Sequence, residues 1–338
     1  MKHLVKIFTI ALILTTFTGC NSDPLDVDVS TINTDPVRIL RLERDFFSIN
    51  SQNIVQKTGE INKKYGAFFN RFVNSTINRP DSGYQKSILL FVGDKDMRSA
   101  FEEIQKCYTD IDLAKIEAEL NDCVKRFKYH FPKRKLPQRF VSYMSGFNYN
   151  IAYTDSTIGI GLEMYLGDTS RFYKMLQWPA YKVRNMKQNY MVPDVVRGWL
   201  LTEFDNTDPV NNLLNHMIFY GKIYYACEAL LPNAPDSLKI GYSKEQMIYC
   251  KTYEKNLWGF FAEKNRLYEN NLRTITEFTS EGPFTGAISK ECPPRIAMWV
   301  GWQIVRSYMN NNKKVTLAEL MNEKDAQKIL SKSKYRPS

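Results

Sequence analysis

The sequence predicts an α+β fold that is mostly helical and carries a small sheet of three or four strands. Over most of the chain, apolar residues recur at three- and four-residue spacing, which is typical of helices that pack on a core. Between residues 139 and 165 the period falls to two, which predicts three consecutive short strands joined by tight turns. A chain of 338 residues, 43% of them hydrophobic, is long enough to bury a large core.

The first twenty residues have the pattern of an export signal. Lys2 and Lys6 give a basic start, residues 7–17 an apolar run, and Thr18-Gly19-Cys20 a small-residue exit. We expect residues 1–19 to be a signal peptide cleaved before Cys20, whose thiol then carries lipid. An ordinary signal peptide or a membrane anchor is the weaker interpretation, because the apolar run is too short to span a bilayer.

The lipidated cysteine is predicted to be followed by a flexible tether, so that residues 20–36 hold the fold away from the membrane. Residues 21–36 are rich in Asp, Ser, Thr and Asn and contain two prolines, a composition that does not favour a packed core. Residues 37–338 are then predicted to form a single globular domain.

The elements before and within the predicted sheet follow from local patterns. Residues 84–93 are ambiguous, since their apolar run fits either a buried strand or a helix. The other segments are a short strand or turn leading into a helix at 37–47, helices at 54–72, 95–107 and 113–127, and strands at 139–147, 150–155 and 157–165.

After residue 167 the pattern is helical again. Ser243 and Gln246 form a capping box, which predicts the start of a long helix that reaches about residue 268. The other predicted segments are helices at 170–188 (broken at Trp178-Pro179), 193–203, 211–232 and 295–309, a polar loop at 279–294, and short helices at 316–321 and 324–332.

The central helix, residues 211–232, carries the most informative polar residue. His216, Tyr220 and Cys227 share one face at helical spacing. In H-E-x-x-H metallopeptidases such a helix places two histidines on zinc, with the glutamate as general base. Here the base position is Met217 and the second ligand position is Tyr220. The sequence therefore predicts the frame of a metal site without its chemistry.

Composition excludes some functions and leaves others open. The formal net charge is +10, but no Lys/Arg block, RNP-like motif or zinc finger accompanies it, so we expect no nucleic-acid partner. The sequence also has no G-x-S-x-G elbow, P-loop or G-x-G-x-x-G motif. Five cysteines follow Cys20 without a C-x-x-C. We expect most to be buried and free, with a Cys107–Cys123 pairing as the alternative.

Long segments of the chain resemble the GldB-type gliding-motility lipoproteins of Bacteroidetes. The resemblance extends from about residue 37 to residue 337 and implies an exported lipoprotein tied to the gliding machinery and its companion type IX secretion system. It also implies a zincin-like architecture, because the order of strands, His-bearing helix, Glu-bearing helix and Gly-containing apolar helix is similar to that of zincin metallopeptidases. The segments are SGFNYNIAYTDSTIGIGLEMYLG, HMIFYGKIYY, AEKNRLY, RIAMWVGWQIVRSYM and DAQKILSKSKYRP.

The same resemblance suggests a degenerate site. Glu263 stands where a peptidase of this order would place a third ligand. We expect His216, Tyr220 and Glu263 to form a vestigial polar site, without metal or cofactor, in a cleft floored by the strands. A buried His216 bonded to a tyrosine or a backbone carbonyl is the alternative. Asp155 and Glu163 are a further carboxylate pair, of a kind that occurs by chance.

These patterns favour a non-catalytic lipoprotein of the cell envelope. We expect an assembly or scaffolding component of the motility and type IX secretion machine, held to the membrane by its N-terminal lipid and bound to envelope proteins. Whether it faces the periplasm or lies at the outer membrane stays open. The alternative is a divergent peptidase, or a peptide-binding pseudopeptidase that holds peptides by β-augmentation.

Overall fold

The sheet is built from strands that lie far apart in the sequence. The computed structural model describes residue 25 and residues 27–77, 84–154, 156–204 and 211–337. The strands are ordered β1-β2-β4-β3. Their bounds are β1 Ile39–Arg41, β2 Arg139–Tyr143, β3 Ile151–Tyr153 and β4 Thr157–Gly161.

The pairing confirms the predicted strands. β2 pairs with β4 in parallel, with Val141 opposite Gly159, and β3 pairs with β4 in antiparallel fashion at the edge. Every residue of β4 is buried, whereas β3 is half-buried throughout. The fully buried strand takes the interior position.

Aromatic side chains tie the first helices to one another and to the sheet. Phe46 meets Phe72 edge to face with ring centroids 5.0 Å apart, and Phe72 meets Tyr143 of β2 at 5.9 Å. The ambiguous residues 84–93 form a helix, with Ile88 and Val92 buried one turn apart. These helices are α1 Leu42–Phe47, α2 Ile54–Tyr65, α3 Ala67–Ser75, α4 Tyr84–Gly93, α5 Lys95–Cys107 and α6 Asp110–His130.

The described part of the segment predicted as a tether lies against α6. Val29 is buried, and Nη1 of Arg126 donates to the Val27 carbonyl at 3.2 Å. Nζ of Lys128 donates to the Asn33 carbonyl at 2.9 Å. Residues 27–36 are therefore held on the fold by contacts that the polar composition of this segment did not predict. The predicted signal peptide and Cys20 lie outside the described residues.

Several of the helices after the sheet are short. The break predicted at Trp178-Pro179 is confirmed, because Gln177 adopts a left-handed φ of 52° and Pro179 separates two short helices. The helix expected at 243–268 is interrupted at Tyr253 and ends in a 3₁₀ turn. The helices are α7 Arg171–Met175, α8 Ala180–Val183, α9 Gln188–Glu203, α10 Leu213–Leu230, α11 Asp236–Ile240, α12 Lys244–Thr252, α13 Glu254–Ala262, α14 Leu272–Thr279, α15 Ile296–Asn311, α16 Leu317–Asn322 and α17 Ala326–Ser333.

The core is centred on α10, which packs against α6, α9, α11, α15 and α17. A helix that is apolar all round belongs in the interior. Its closest neighbour is α15. A Cβ added at Gly221 would collide with the backbone of Gly301, and one added at Gly301 would collide with the backbone of Met217. Two backbones can approach this closely only where neither carries a side chain.

The cysteines are part of this core. Five in the described residues are free, and four of them are buried: Cys123, Cys227, Cys250 and Cys292. The expectation of buried free thiols is thus confirmed. The alternative Cys107–Cys123 pairing is wrong, because the Cys123 thiol instead donates to the Leu230 carbonyl of α10 at 3.4 Å. Within the described ranges, no helix has the length and apolar run needed to cross a bilayer.

The contact between α10 and α15 gives a first prediction. Gly301→Ala should lower the free energy of unfolding by about 3 kcal/mol or more, because an overpacked contact between backbones can be relieved only by separating the helices. Gly259→Ala is the matched control. A Cβ at Gly259, inside α13, meets nothing within 4 Å, so this variant should be unchanged or more stable by up to about 1 kcal/mol. Urea unfolding of both proteins checks the pair, and equal stabilities would contradict the close-contact explanation.

Candidate functional site

A polar cleft of about 250 Å³ lies beside the edge of the sheet. It is lined by the turn before β3, by α9, and by the start of α15. Asn150 and Tyr165 come from the sheet side, and Asp194 comes from α9. Arg184 follows α8, and Arg295 stands at the start of α15. Elements that are far apart in the sequence therefore meet in one concave, charged surface, which is the usual setting of a ligand site.

On the wall formed by α9, a partly buried ion pair fixes the cleft. Asp194 accepts a hydrogen bond from Nη2 of Arg197 at 2.5 Å and another from the Tyr165 hydroxyl at 2.9 Å. Arg197 also donates to the Lys239 carbonyl at 2.9 Å. Burial opposes the charge on Arg197, but Asp194 outweighs it and raises the pKa of the guanidinium. Both carboxylate oxygens of Asp194 are engaged, so this pair positions the wall.

Two further guanidinium groups face the cleft with much weaker pairing. The Arg295 side chain is 8% exposed, yet its nearest carboxylate oxygen, on Glu281, is 3.8 Å away and belongs to a side chain that is 58% exposed. Nε of Arg295 is buried without a hydrogen-bond partner. Arg184 has no ion pair with any described residue, and burial, together with the nearby charge of Arg295, lowers its pKa. The cleft thus holds positive charge that no described residue neutralises at close range.

A buried carboxyl group organises the loop behind the cleft. Oε1 of Glu163 accepts from the backbone N–H and the hydroxyl of Ser145, both at 2.5 Å, and from the Phe147 N–H at 3.2 Å. The hydrogen bond from the Phe147 N–H holds this residue at its left-handed φ of 63°. Oε2 has no partner. Burial raises the pKa of Glu163 to about 7, although the Ser145 and Phe147 hydrogen bonds oppose the rise.

A second concave surface, an apolar groove, lies between α4, α5 and α7. It has a volume of about 670 Å³, and Leu90, Met175 and Leu176 line it. These side chains are 66%, 57% and 50% exposed, respectively. Ile77 lines one end, next to residues 78–83, which lie outside the described residues. Clustered exposed apolar side chains of this size usually mark a contact surface.

Comparison with known proteins shows the family. A model described as gliding motility protein GldB matches residues 22–337. The chain belongs to the GldB family. Neither a curated protein nor a solved structure matches this GldB-family chain significantly. Membership makes it an envelope lipoprotein related to gliding motility, which confirms the resemblance of the sequence segments.

In this GldB-family chain, the predicted site residues His216, Tyr220 and Glu263 do not line the polar cleft. His216 and Tyr220 lie one turn apart on α10, with ring centroids 6.5 Å apart. The His216 imidazole pairs with Oδ1 of Asn211 at 2.7 Å, and burial lowers its pKa. Glu263 is exposed at the start of the 3₁₀ turn, and no hydrogen bond or ion pair joins it to His216 among the described contacts. A vestigial site made of these three residues stays a prediction.

The strands face α9 rather than the histidine. Tyr153 of β3 packs on Gly198 of α9, and α9 in turn packs on α10. The cleft beside the strands is therefore lined by Asp194 and Arg197 of α9, and His216 does not line it. The sequence patterns did not indicate this pair. In the sequence, this pair is an acidic and a basic residue three positions apart in a mostly apolar helix. Such a spacing is common on solvated helix surfaces.

Other titratable residues singled out by the sequence are also accounted for. His130 ends α6 in a partly buried position, where burial lowers its pKa to about 4. Asp155 lies outside the described residues, so the Asp155–Glu163 pair is not tested. In the described part of the chain, no group of three or more His, Cys, Asp or Glu side chains is arranged to hold a metal ion.

The buried carboxyl group gives a prediction for the pH dependence of stability. The folded pKa of Glu163, about 7, lies above its ordinary value of 4.5, so the proton is bound more tightly in the folded state. The contribution of protonated Glu163 to the free energy of unfolding is complete below pH 4.5 and is lost as pH rises through 7. Glu163→Gln, which cannot ionise, should therefore gain up to about 3 kcal/mol relative to the wild type between pH 5 and pH 8.

Urea unfolding across this pH range measures the difference. Glu102→Gln, at an exposed position of α5, is the control and should follow the wild type at every pH. Parallel pH profiles for Glu163→Gln and the wild type would show that Glu163 is ionised in the folded protein throughout the range.

Proposed function

We propose that this envelope lipoprotein is a non-catalytic assembly component of the gliding machine and of the type IX secretion system associated with it. The apolar groove between α4, α5 and α7 is the surface that holds its protein partner. Family membership supports the pathway, and the groove supports a role in binding. Leu90, Met175 and Leu176 would each be more stable covered than exposed, because burial of apolar surface drives association.

The groove also suggests what kind of segment it receives. Its walls are apolar, with Phe91, Met97 and Phe172 behind the exposed side chains. Asp94 and Asp96 stand at its edge, so a partner segment with an apolar face and a basic flank would match both features. Asp94 also caps α5 by accepting from the Asp96 and Met97 N–H groups, which keeps this edge fixed.

A structural role for the titratable groups supports a non-catalytic function. Asp194 is held by Tyr165 and Arg197, and Glu163 is fully buried. Within this proposal, His216, Tyr220 and Glu263 are remnants of a peptidase-like frame without catalytic duty. The alternative of a divergent peptidase makes the opposite forecast: the purified protein would contain near-stoichiometric zinc with His216 as ligand and would hydrolyse denatured casein. A peptide-binding pseudopeptidase would instead hold peptides along a strand edge without hydrolysing them.

The groove is tested by reversing the character of one exposed position. Leu90→Glu places a charge in the groove. Because Leu90 is 66% exposed, the fold should tolerate it, but the variant should fail to restore spreading in a gliding strain that lacks its own copy. Ile111→Glu is the matched control, since Ile111 is 72% exposed on α6, outside the groove. It should restore spreading fully.

A photo-cross-linker at the same two positions identifies the contact directly. Position 90 should give complexes larger than the single chain, and position 111 should not. Cross-links from position 90 confined within one chain would mean that the protein covers its own groove. Equal spreading by both variants would argue against the groove as the partner surface.

The membrane attachment is a separate prediction. We propose that Cys20 carries the lipid and that residues 1–19 are removed. Metabolic labelling with a palmitate analogue should mark the wild type and leave Cys20→Ala unmarked, and the variant should leave the membrane fraction. The buried cysteines serve as internal controls, since Cys227→Ala should be labelled like the wild type. Label on Cys20→Ala would place the lipid elsewhere.

A further inference from the structure

The uncompensated positive charge in the polar cleft points to a ligand. We propose that the cleft binds a small anionic molecule through a carboxylate or phosphate group, held between the guanidinium groups of Arg184 and Arg295. This site is distinct from the apolar groove and goes beyond the proposed assembly role. It rests on three observations: a buried donor without a partner, two like charges facing one cavity, and an uncapped helix start beside them.

The first observation concerns Arg295. Its side chain is 92% buried, and Nε has no hydrogen-bond partner. Nη2 reaches the Gly241 carbonyl only at 3.5 Å, and Nη1 reaches Glu281 only at 3.8 Å. A guanidinium group presents five N–H donors in a planar fork that matches a carboxylate or phosphate. Leaving a buried donor unsatisfied is costly, so a bound oxyanion would supply what the protein leaves out.

The second observation concerns the balance of charge. Among the described side chains that line the cleft, Lys182, Arg184, Arg197 and Arg295 are cationic, against the carboxylates of Asp194 and Glu281. Asp194 is committed to Arg197. Arg184 therefore shares the cavity with Arg295 and has no ion pair of its own among the described residues. One anion between the two groups would replace a repulsion with two charge-assisted contacts.

The third observation concerns the backbone. Arg295 is the N-cap residue of α15 and adopts a left-handed φ of 58°, and no side chain caps the helix. The 16-residue helix therefore directs its positive end toward the cleft. Gly241 makes room for this arrangement. At its φ of 74° it lies against the Arg295 guanidinium, where an added Cβ would come within 3.3 Å of Nη2.

The dimensions limit the ligand. A cavity of about 250 Å³ accommodates a phosphate or a short organic acid, together with a small body. Trp178 and Tyr181 line its outer part, so a ligand with an apolar or ring-shaped portion next to its charged group would use the whole cavity. The same groups would accept phosphate or carboxylate, and binding experiments distinguish the two.

Isothermal titration calorimetry of the lipoprotein in detergent, at constant ionic strength, tests the site. Inorganic phosphate and succinate are the probes, and potassium chloride is the reference. At least one of the two should bind with one ion per chain. Phosphate alone would indicate a phosphate-bearing ligand, succinate alone a carboxylate, and both a site for either oxyanion. The absence of binding by both probes would overturn the proposal.

Variants separate the site from general surface charge. Arg184→Gln should raise Kd by about ten-fold or more, because it removes a charge-assisted contact. Arg71→Gln, on the exposed face of α3, should bind like the wild type. Without ligand, Arg184→Gln should melt no lower than the wild type, since it removes a half-buried cation that faces Arg295. Unchanged affinity in Arg184→Gln would contradict the assignment, as would equal weakening by Arg71→Gln. Leu90→Glu should bind the anion normally, which keeps this test independent of the partner groove.

Discussion

The contact of two helix backbones at Gly221 and Gly301 governs the positions of the surrounding elements. Fourteen of the 18 residues of α10 are buried, and α9, α6 and α17 take their places around the α10–α15 pair. The polar cleft depends on the same contact, because α15 begins at its wall and α9 supplies the opposite one. A change in the separation of α10 and α15 would move Arg295 relative to Asp194. The geometry of the cleft therefore depends on two glycines, Gly221 and Gly301.

The charge of the polar cleft follows from which nearby carboxylates are already bonded within the fold. Asp194 uses both carboxylate oxygens to position α9, and the buried Glu163 uses Oε1 to hold the loop before β3. Among the described residues, Arg197 is the cation of the cleft that has a close carboxylate partner. The protein has a formal net charge of +10, but a spread of surface lysines does not account for two guanidinium groups that converge on one cavity. The local excess is a property of the fold rather than of the composition.

Local pattern was sufficient to predict the type of most elements and insufficient to predict how they meet. The period-two segments became strands, and Phe68, Phe69 and Phe72 of α3 are buried in the core. Local pattern did not predict the strand order, because the order depends on which strand is buried on both faces, a tertiary property. The break at Tyr253 was missed for a similar reason, since the apolar spacing continues across it.

The cleft escaped detection because its residues are separated in sequence. Arg184 and Arg295 are ordinary arginines in their local context, and only the packing of α15 brings them together. His216 attracted attention because it occupies a recognisable motif position, yet its imidazole makes a local contact with Asn211. Motif spacing reports on one element at a time, whereas this cavity is assembled from several.

The buried thiols have a consequence for the lifetime of the folded protein. Burial raises the pKa of Cys227 and of Cys292 to about 12, so almost no thiolate exists in the native state and oxidants find little to attack. Unfolding exposes every thiol at once in the cell envelope, where oxidation traps mispaired disulfides. Refolding would then compete with disulfide cross-linking. Under such oxidation the lifetime of the folded protein would follow its unfolding rate rather than its equilibrium stability.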